Sequence, residues 1–235
     1  LVGVDHWVFE SNYFVQRTLA TLFSLSIILG ISRQVFMGVL ALLQRRREMK
    51  RDALFVPGFQ IGVSVVIAAY NEEKVIAKTI QGLLQSDYPI KEIIVVDDGS
   101  KDDTFGAAKG AIPDSPSIKV FRKENGGKAS ALNYGIQHVT GDVIVGLDAD
   151  TVFASDTIGK LARHFQNPKV GAVAGNVRVG NINNLLTRWQ ALEYITSQNF
   201  DRRAYDLMNC ITVVPGAVGA WRRTALEQAG GYTHD

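Results

Sequence analysis

VSVVIAAYNEE (Val63–Glu73) is the stretch on which the fold turns. Its first six residues, Val63–Ala68, form a short apolar run of the kind that a strand buried on both faces requires. The polar segment Ala69-Tyr70-Asn71-Glu72-Glu73 follows at once. Val75, Ile76, Thr79, Ile80, Leu83 and Leu84 then recur at helical spacing, and Tyr88-Pro89 closes that helix. Ile93–Val96 (IIVV) starts thirty residues after Val63, which is the length of one βαβ unit. Ile118–Phe121, Val143–Leu147 and Val170–Ala174 read as further strands, and Ala129, Leu132, Ile136 and Val139 mark another amphipathic helix. Strands alternating with helices predict an α/β fold, a mainly parallel sheet with helices on its faces.

Upstream of Pro57-Gly58 the pattern is different. Residues 18–43 (TLATLFSLSIILGISRQVFMGVLALL) carry one charge, Arg33. A helix of about 20 apolar residues crosses a bilayer, so one transmembrane helix is expected here. A cleavable signal peptide has its basic residues before the apolar run, whereas here Arg45-Arg46-Arg47-Glu48-Met49-Lys50-Arg51 follows it. A charge at mid-bilayer costs about 2.5–3.5 kcal/mol. Arg33 is therefore expected to face another helix, or the span to end near Ile31 with Val35–Leu43 in the interface. The domain organisation that follows is an extracytoplasmic tail (1–12), a transmembrane helix (13–44), a basic juxtamembrane linker (45–60) and an α/β domain (61–235).

The chain has 235 residues and a net charge of +2. Residues 45–51 alone carry +4, and residues 52–235 hold 18 bases against 20 acids. Basic flanks stay cytoplasmic, which puts the α/β domain on the cytoplasmic side of the inner cell membrane. Its mild acidity argues against a nucleic-acid partner, for which a basic face is needed. An apolar content of 46% excludes disorder. The single cysteine, Cys210, excludes an internal disulfide and suits a reducing compartment. His6, His138, His164 and His234 are scattered, without the cysteines that a zinc site needs.

Four polar clusters stand at strand ends, where open α/β sheets bind ligands. Ala69, Tyr70 and Glu72 follow the first strand. Tyr70 offers a flat ring to a base, and the alternative is a helix cap. Asp97-Asp98-Gly99-Ser100 follows the second strand. Its adjacent carboxylates need a partner: a base N–H, a ribose hydroxyl or a cation. Asn125-Gly126-Gly127-Lys128 opens a helix, where an anion is favoured and Lys128 adds charge. Asp148-Ala149-Asp150 follows the strand Val143–Leu147. Alternation puts both carboxylates on one side of an extended segment, a pairing that suits Mg²⁺ or Mn²⁺ shared with phosphates. Taken together, the clusters describe a nucleotide-diphosphate site.

The ordered set VSVVIAAYNEE (63–73), IIVVDDGSKDDT (93–104), NGGKASALNYG (125–135) and GDVIVGLDADT (141–151) resembles family 2 glycosyltransferases. The resemblance implies the GT-A fold, a Rossmann-like sheet with helices on both faces. It also implies inverting transfer from a UDP-sugar with a divalent metal. By position, Ala69, Tyr70 and Glu72 match the uridine pocket, and Asp98, with Asp97 beside it, the carboxylate on uracil or ribose. Lys128 matches the lysine near the diphosphate. Asp148 and Asp150 match the D-x-D pair, with Asp150 the direct metal ligand.

Val214–Arg223 looks like the acceptor-side loop of processive synthases, with Gly216, Gly219 and Trp221 on the acceptor. Val173–Val179 (VAGNVRV), Trp189–Tyr194 and Thr212–Gly216 resemble most the bacterial poly-β-1,6-N-acetylglucosamine synthase group. The implied partners are a UDP-sugar, a polysaccharide or glycan acceptor, membrane lipid and, as a further candidate, an accessory membrane subunit. The family's base lies in a Glu-Asp motif just after Gly-Gly-Tyr, here Gly230-Gly231-Tyr232, so the resemblance implies a chain cut short of its catalytic base. A non-processive transferase and an inactive nucleotide-sugar-binding module are the alternative readings.

Overall fold

In the computed structural model the apolar run from Val63 forms a strand whose side chains are covered on both faces. Val63, Val65 and Ile67 join one hydrophobic cluster and Val66 the other. The structure describes residues 2–52, 54–56, 58–111, 117–180, 182–211 and 213–233, without the side chains of 2–9 and 198. Pro57, Thr212 and His234 of the sequence reading lie outside the described residues, as does the side chain of His6.

From the N-terminus the order is α1 (Val2–Asp52), β1 (Val63–Ala69), α2 (Ile76–Leu84), β2 (Ile90–Asp97), α3 (Thr104–Gly110), β3 (Ile118–Arg122), α4 (Lys128–Ile136) and β4 (Val143–Asp148). Then come α5 (Thr157–Ala162), β5 (Ala172–Ala174), α6 (Leu185–Tyr194), α7 (Arg202–Leu207), β6 (Val218–Arg222) and α8 (Arg223–Gln228). They divide into two compact units, Leu1–Arg51 with Asn181–Ile211, and Asp52–Gly180 with Thr212–Asp235.

The second unit is built on a six-stranded sheet of order β3-β2-β1-β4-β6-β5. β1 pairs in parallel with β2 and β4, β2 pairs in parallel with β3, and β6 runs antiparallel to both β4 and β5. Ile76, Ile80 and Leu83 of α2 and Ile158 and Leu161 of α5 cover one face, and Ala131 and Leu132 of α4 with Leu226 of α8 cover the other. Gly135 permits the approach of α4, because a Cβ there would stand 2.5 Å from Val66 Cγ1. At the amino end of the sheet the buried Glu92 accepts hydrogen bonds from Ser64 Oγ (2.6 Å) and from Thr140 N and Oγ1.

Two expectations change here. Val214–Arg223 reads as a loop in the sequence, yet Val218–Arg222 form β6. Gly219 faces Gly146 of β4, and such small residues give little strand signal. Ala149-Asp150 is a turn, since β4 ends at Asp148 and Thr151 N donates to Asp148 O (3.3 Å). The two carboxylates are therefore not brought together by strand alternation.

In the first unit, α1 is a 51-residue helix that runs through Arg33 and through the basic knot without a break. The knot reads as a linker in the sequence, but Arg, Lys, Glu and Met are good helix formers, and the first proline is Pro57. Glu10–Asp52 includes a stretch long and apolar enough to cross a membrane. α6, a π-helical stretch Ile195–Asp201 and α7 follow one another directly.

Candidate functional site

Strand register assembles the site in the second unit. Ala69 lies beside Asp97, and Ala68 beside Asp148. The Asp-Asp and Asp-Ala-Asp turns thus flank the Tyr70–Glu73 loop at the carboxyl edge of the sheet. Tyr70 is 43% exposed there, and Ala69 is buried. The loop is laced to its neighbour: Asn71 N donates to Ser100 Oγ (2.9 Å), Glu72 N to Thr104 Oγ1 (2.7 Å), and Lys101 N to Asn71 Oδ1 (2.8 Å).

Asp97 and Asp98 are 1% and 3% exposed, and the chain itself supplies their partners. Asp97 accepts from Ser100 N (3.0 Å) and pairs with Arg122 Nε (3.2 Å). Asp98 accepts from Lys123 Nζ (2.7 Å), Gly126 N (3.1 Å) and Gly127 N (2.7 Å). Its carboxylate therefore shapes the glycine loop that precedes α4. Arg122 and Lys123 are the residues that the sequence reading misses. The sequence holds a partial signal for them: a pair of bases at the end of β3, where Arg122 stands in register with Asp97 at the end of β2.

Lys128 stands in the first turn of α4, and its Nζ pairs with Asp148 Oδ1. A Cβ on Gly216 would come within 2.9 Å of the same Nζ. Lys128, Asp148 and Gly216 therefore converge. Gly219 and Trp221 do not join them. They lie along β6, and the Trp221 ring covers Gly146 and Gly219 and meets Tyr232 edge-on at 5.2 Å. The Tyr232 hydroxyl is buried and has no hydrogen-bond partner among the described residues. Burial first, and the Asp148 charge second, push it far above the ordinary phenol range.

Asp150 is exposed, Ala149 is buried, and Thr79 Oγ1 donates to Ala149 O (2.6 Å), which fixes the turn between the two acids. The Glu72 carboxyl is raised above its usual range by burial, then by Asp150, Asp102 and Asp148. Glu72 thus senses both acids of the Asp-Ala-Asp turn in one negative field. Among the described residues no three metal-binding side chains cluster closely enough to hold an ion by themselves. The donor set fits a hard divalent cation that takes two carboxylates and completes its shell with ligand oxygens and water.

Comparison with known proteins bears on the family and the fold. A family model described as glycosyl transferase family 2 matches residues 64–230. Poly-β-1,6-N-acetyl-D-glucosamine synthase of Staphylococcus epidermidis is 34% identical over 175 residues, covering 74% of this chain and 42% of the relative. The Staphylococcus aureus protein of the same name is 33% identical over the same shares. The chain thus spans about two fifths of the length of these relatives. Among solved structures, a mannosyltransferase of Pyrobaculum calidifontis in complex with GDP-Man and Mn²⁺ superposes with a TM-score of 0.62 at 23% identity, covering 84% of this chain and 59% of its own. S. aureus TarS (1–349) gives 0.52 at 19% identity, covering 72% and 49%. These two likenesses establish the GT-A-like fold.

Proposed function

Because this chain belongs to glycosyltransferase family 2, we propose that it carries the donor site of a membrane-bound inverting transferase. The enzyme moves a sugar, N-acetylglucosamine, from a UDP-sugar to a growing β-linked polysaccharide. The observation that carries this reading is the meeting of Lys128, Asp148 and Gly216 at the carboxyl edge of the sheet, beside the Tyr70–Glu73 loop. The two staphylococcal relatives supply the sugar and the polymer in this reading.

The residues divide the work. Tyr70 presents its exposed ring to the uracil, and the Asp97–Ser100 turn borders the ribose. Asp98 holds the Gly126-Gly127 loop open for close backbone approach to the diphosphate. Lys128 exchanges its Asp148 partner for diphosphate oxygens and offsets the charge of the leaving group. Asp148 and Asp150 hold Mg²⁺ or Mn²⁺. When bound, the ion acts as a Lewis acid that stabilises the departing diphosphate. Gly216 leaves room beside Lys128 for the acceptor end. α1 spans the membrane, with residues 1–12 outside and Arg45–Arg51 at the cytoplasmic face, so the α/β unit from residue 61 works in the cytoplasm.

The test uses the full-length protein in lipid vesicles, supplied with each of several UDP-sugars and Mg²⁺ or Mn²⁺. Polymer is expected from UDP-N-acetylglucosamine. A single transfer without chain growth would replace the polymer reading with the non-processive one. No UDP binding at all would defeat the donor-site reading.

A further inference from the structure

The Tyr232 side chain is held from several directions. Asn133 of α4 bonds its backbone at both N and O. The Trp221 ring of β6 packs edge-on against its ring. Its hydroxyl lies against β4, because a Cβ on Gly146 would stand 2.9 Å from the phenol oxygen. Glycine at position 146 is what leaves room for the hydroxyl.

This placement brings a polar atom to a covered spot where it has no hydrogen-bond partner among the described residues. Folded proteins leave few buried polar groups unpaired, since each one lowers stability. A phenylalanine would fill the same space without that loss. Burial and the Asp148 charge keep the phenol protonated. The group is therefore a donor that lacks an acceptor.

The acceptor in line with it is Asp148. Gly146 and Asp148 stand two residues apart on β4, so alternation puts them on one face. It is the face of Ile144, which packs with Ala131 and Leu132 of α4. Two residues of strand span about 6–7 Å, and the Asp148 charge reaches the phenol across that interval. In the free protein Asp148 is paired with Lys128, and the lysine side chain is the more exposed of the two, 47% against 29%. The lysine can swing away while the carboxylate stays on the β4 face.

We propose that Tyr232 is a positioning residue for Asp148: once Lys128 turns to the diphosphate, the carboxylate accepts a hydrogen bond from Tyr232 Oη and is held toward the cation. This rests on the donor-site reading above and adds to it a residue from the far side of the sheet edge. Partners behind a metal ligand fix its orientation and tune its affinity. The hydroxyl is thus unpaired in the free protein and paired in the donor-bound one. Its destabilising effect in the first state becomes a contribution to metal binding in the second.

The experiment compares the full-length protein with its Tyr232→Phe variant in detergent micelles. Three quantities are measured: the melting temperature without ligand, UDP affinity without metal, and Mn²⁺ affinity at saturating UDP by electron paramagnetic resonance. The variant is expected to melt at the same temperature or higher and to keep its metal-free UDP affinity. Its Mn²⁺ affinity at saturating UDP is expected to fall about tenfold. Equal Mn²⁺ affinity in the two proteins overturns the proposal and leaves the donor-site reading intact. A lower melting temperature with metal-free UDP binding weakened alongside Mn²⁺ also overturns it, because Tyr232 then acts through packing alone. Failure of the parent protein to bind UDP removes the donor-site reading itself. If Tyr232→Phe does not fold, 3-fluorotyrosine placed at position 232 of the parent reports instead. Its fluorine resonance should move when Mg²⁺ and UDP are added together and hold still with UDP alone, and a resonance unmoved by both together overturns the proposal.

Discussion

Asn133 and Tyr232 hold each other by two reciprocal hydrogen bonds across 99 residues. Asn133 Nδ2 donates to Tyr232 O (2.8 Å), and Tyr232 N donates to Asn133 Oδ1 (2.8 Å). The clamp ties the turn Gly230–Tyr232 to α4, the helix that opens with Lys128. Gly231 makes it feasible: its φ is +84°, and a Cβ there would come within 2.6 Å of Asn133 Oδ1. Asn133→Ala strands both backbone groups of Tyr232, and each unmet group costs about 1–3 kcal/mol. The expected result is a melting temperature lower by several degrees and faster hydrogen exchange at the Tyr232 amide. Asn133→Asp keeps the acceptor and should fall between the two. Unchanged exchange in Asn133→Ala would show that the clamp carries no load.

Asp98 gathers Lys123 and two backbone amides around a carboxylate that is 3% exposed. Breaking a buried charge pair from one side is severe, about 3–5 kcal/mol, because the remaining charge is left uncompensated. Asp98→Ala should therefore lower the urea midpoint markedly. Asp98→Asn retains one acceptor for the Gly127 amide and should lose less. Double substitution with Lys123→Met should recover part of the loss, which a urea titration of all four proteins measures. Independent, additive effects would rule out the coupling.

The parallel core was legible because it is written in continuous apolar runs: Val63–Ala68, Ile93–Val96 and Val143–Leu147 each lie inside an observed strand. The polar clusters at their ends were legible for the same reason, since the register carries Asp97 to Ala69 and Asp148 to Ala68. β6 was not legible. Its sequence, VGAWR, owes its pairing to Gly219 against Gly146 and to cover from Trp221, which are tertiary facts. The partners of Asp97 and Asp98 went unread because matching the Arg122-Lys123 pair to the two acids needs the β2–β3 register, which only the fold supplies. The Asp-Ala-Asp geometry depends on a turn fixed by Thr79 of α2, seventy residues away.

Glu92 offers a pH test remote from the donor site. Burial alone would raise its carboxyl, but hydrogen bonds from Ser64 and Thr140 and the Lys119 charge hold it below the ordinary value. A depressed folded-state pKa adds stability that is fully present above the unfolded value of about 4.3 and is lost as pH falls through the folded one. Stability should therefore decline on acidification below about pH 4. Glu92→Gln should be less stable at neutral pH, with a shallower decline over that acid range. Denaturation midpoints between neutrality and acid measure both, and parallel curves for the two proteins would exclude Glu92 as a contributor.

Lys128 and Asp148 neutralise each other before any donor arrives, and this sets opposite expectations for cation and anion binding. Lys128→Ala removes the positive charge beside Asp148, so Mn²⁺ alone should bind more tightly. Binding of UDP should weaken, because a hydrogen bond to a charged group contributes about 1.5–3 kcal/mol, a loss of roughly tenfold or more. Lys128→Arg keeps the charge but changes its reach, and should restore Mn²⁺ affinity to the original level while only partly restoring UDP. Asp150→Ala should lose the metal dependence of UDP binding and leave the metal-free affinity in place. Mn²⁺ titration followed by electron paramagnetic resonance, with calorimetry of UDP at fixed Mn²⁺, separates the two terms. If Lys128→Ala weakened Mn²⁺ and UDP together, the lysine would be supporting the fold of the Asp148 turn and would not be acting as the counter-charge of a diphosphate.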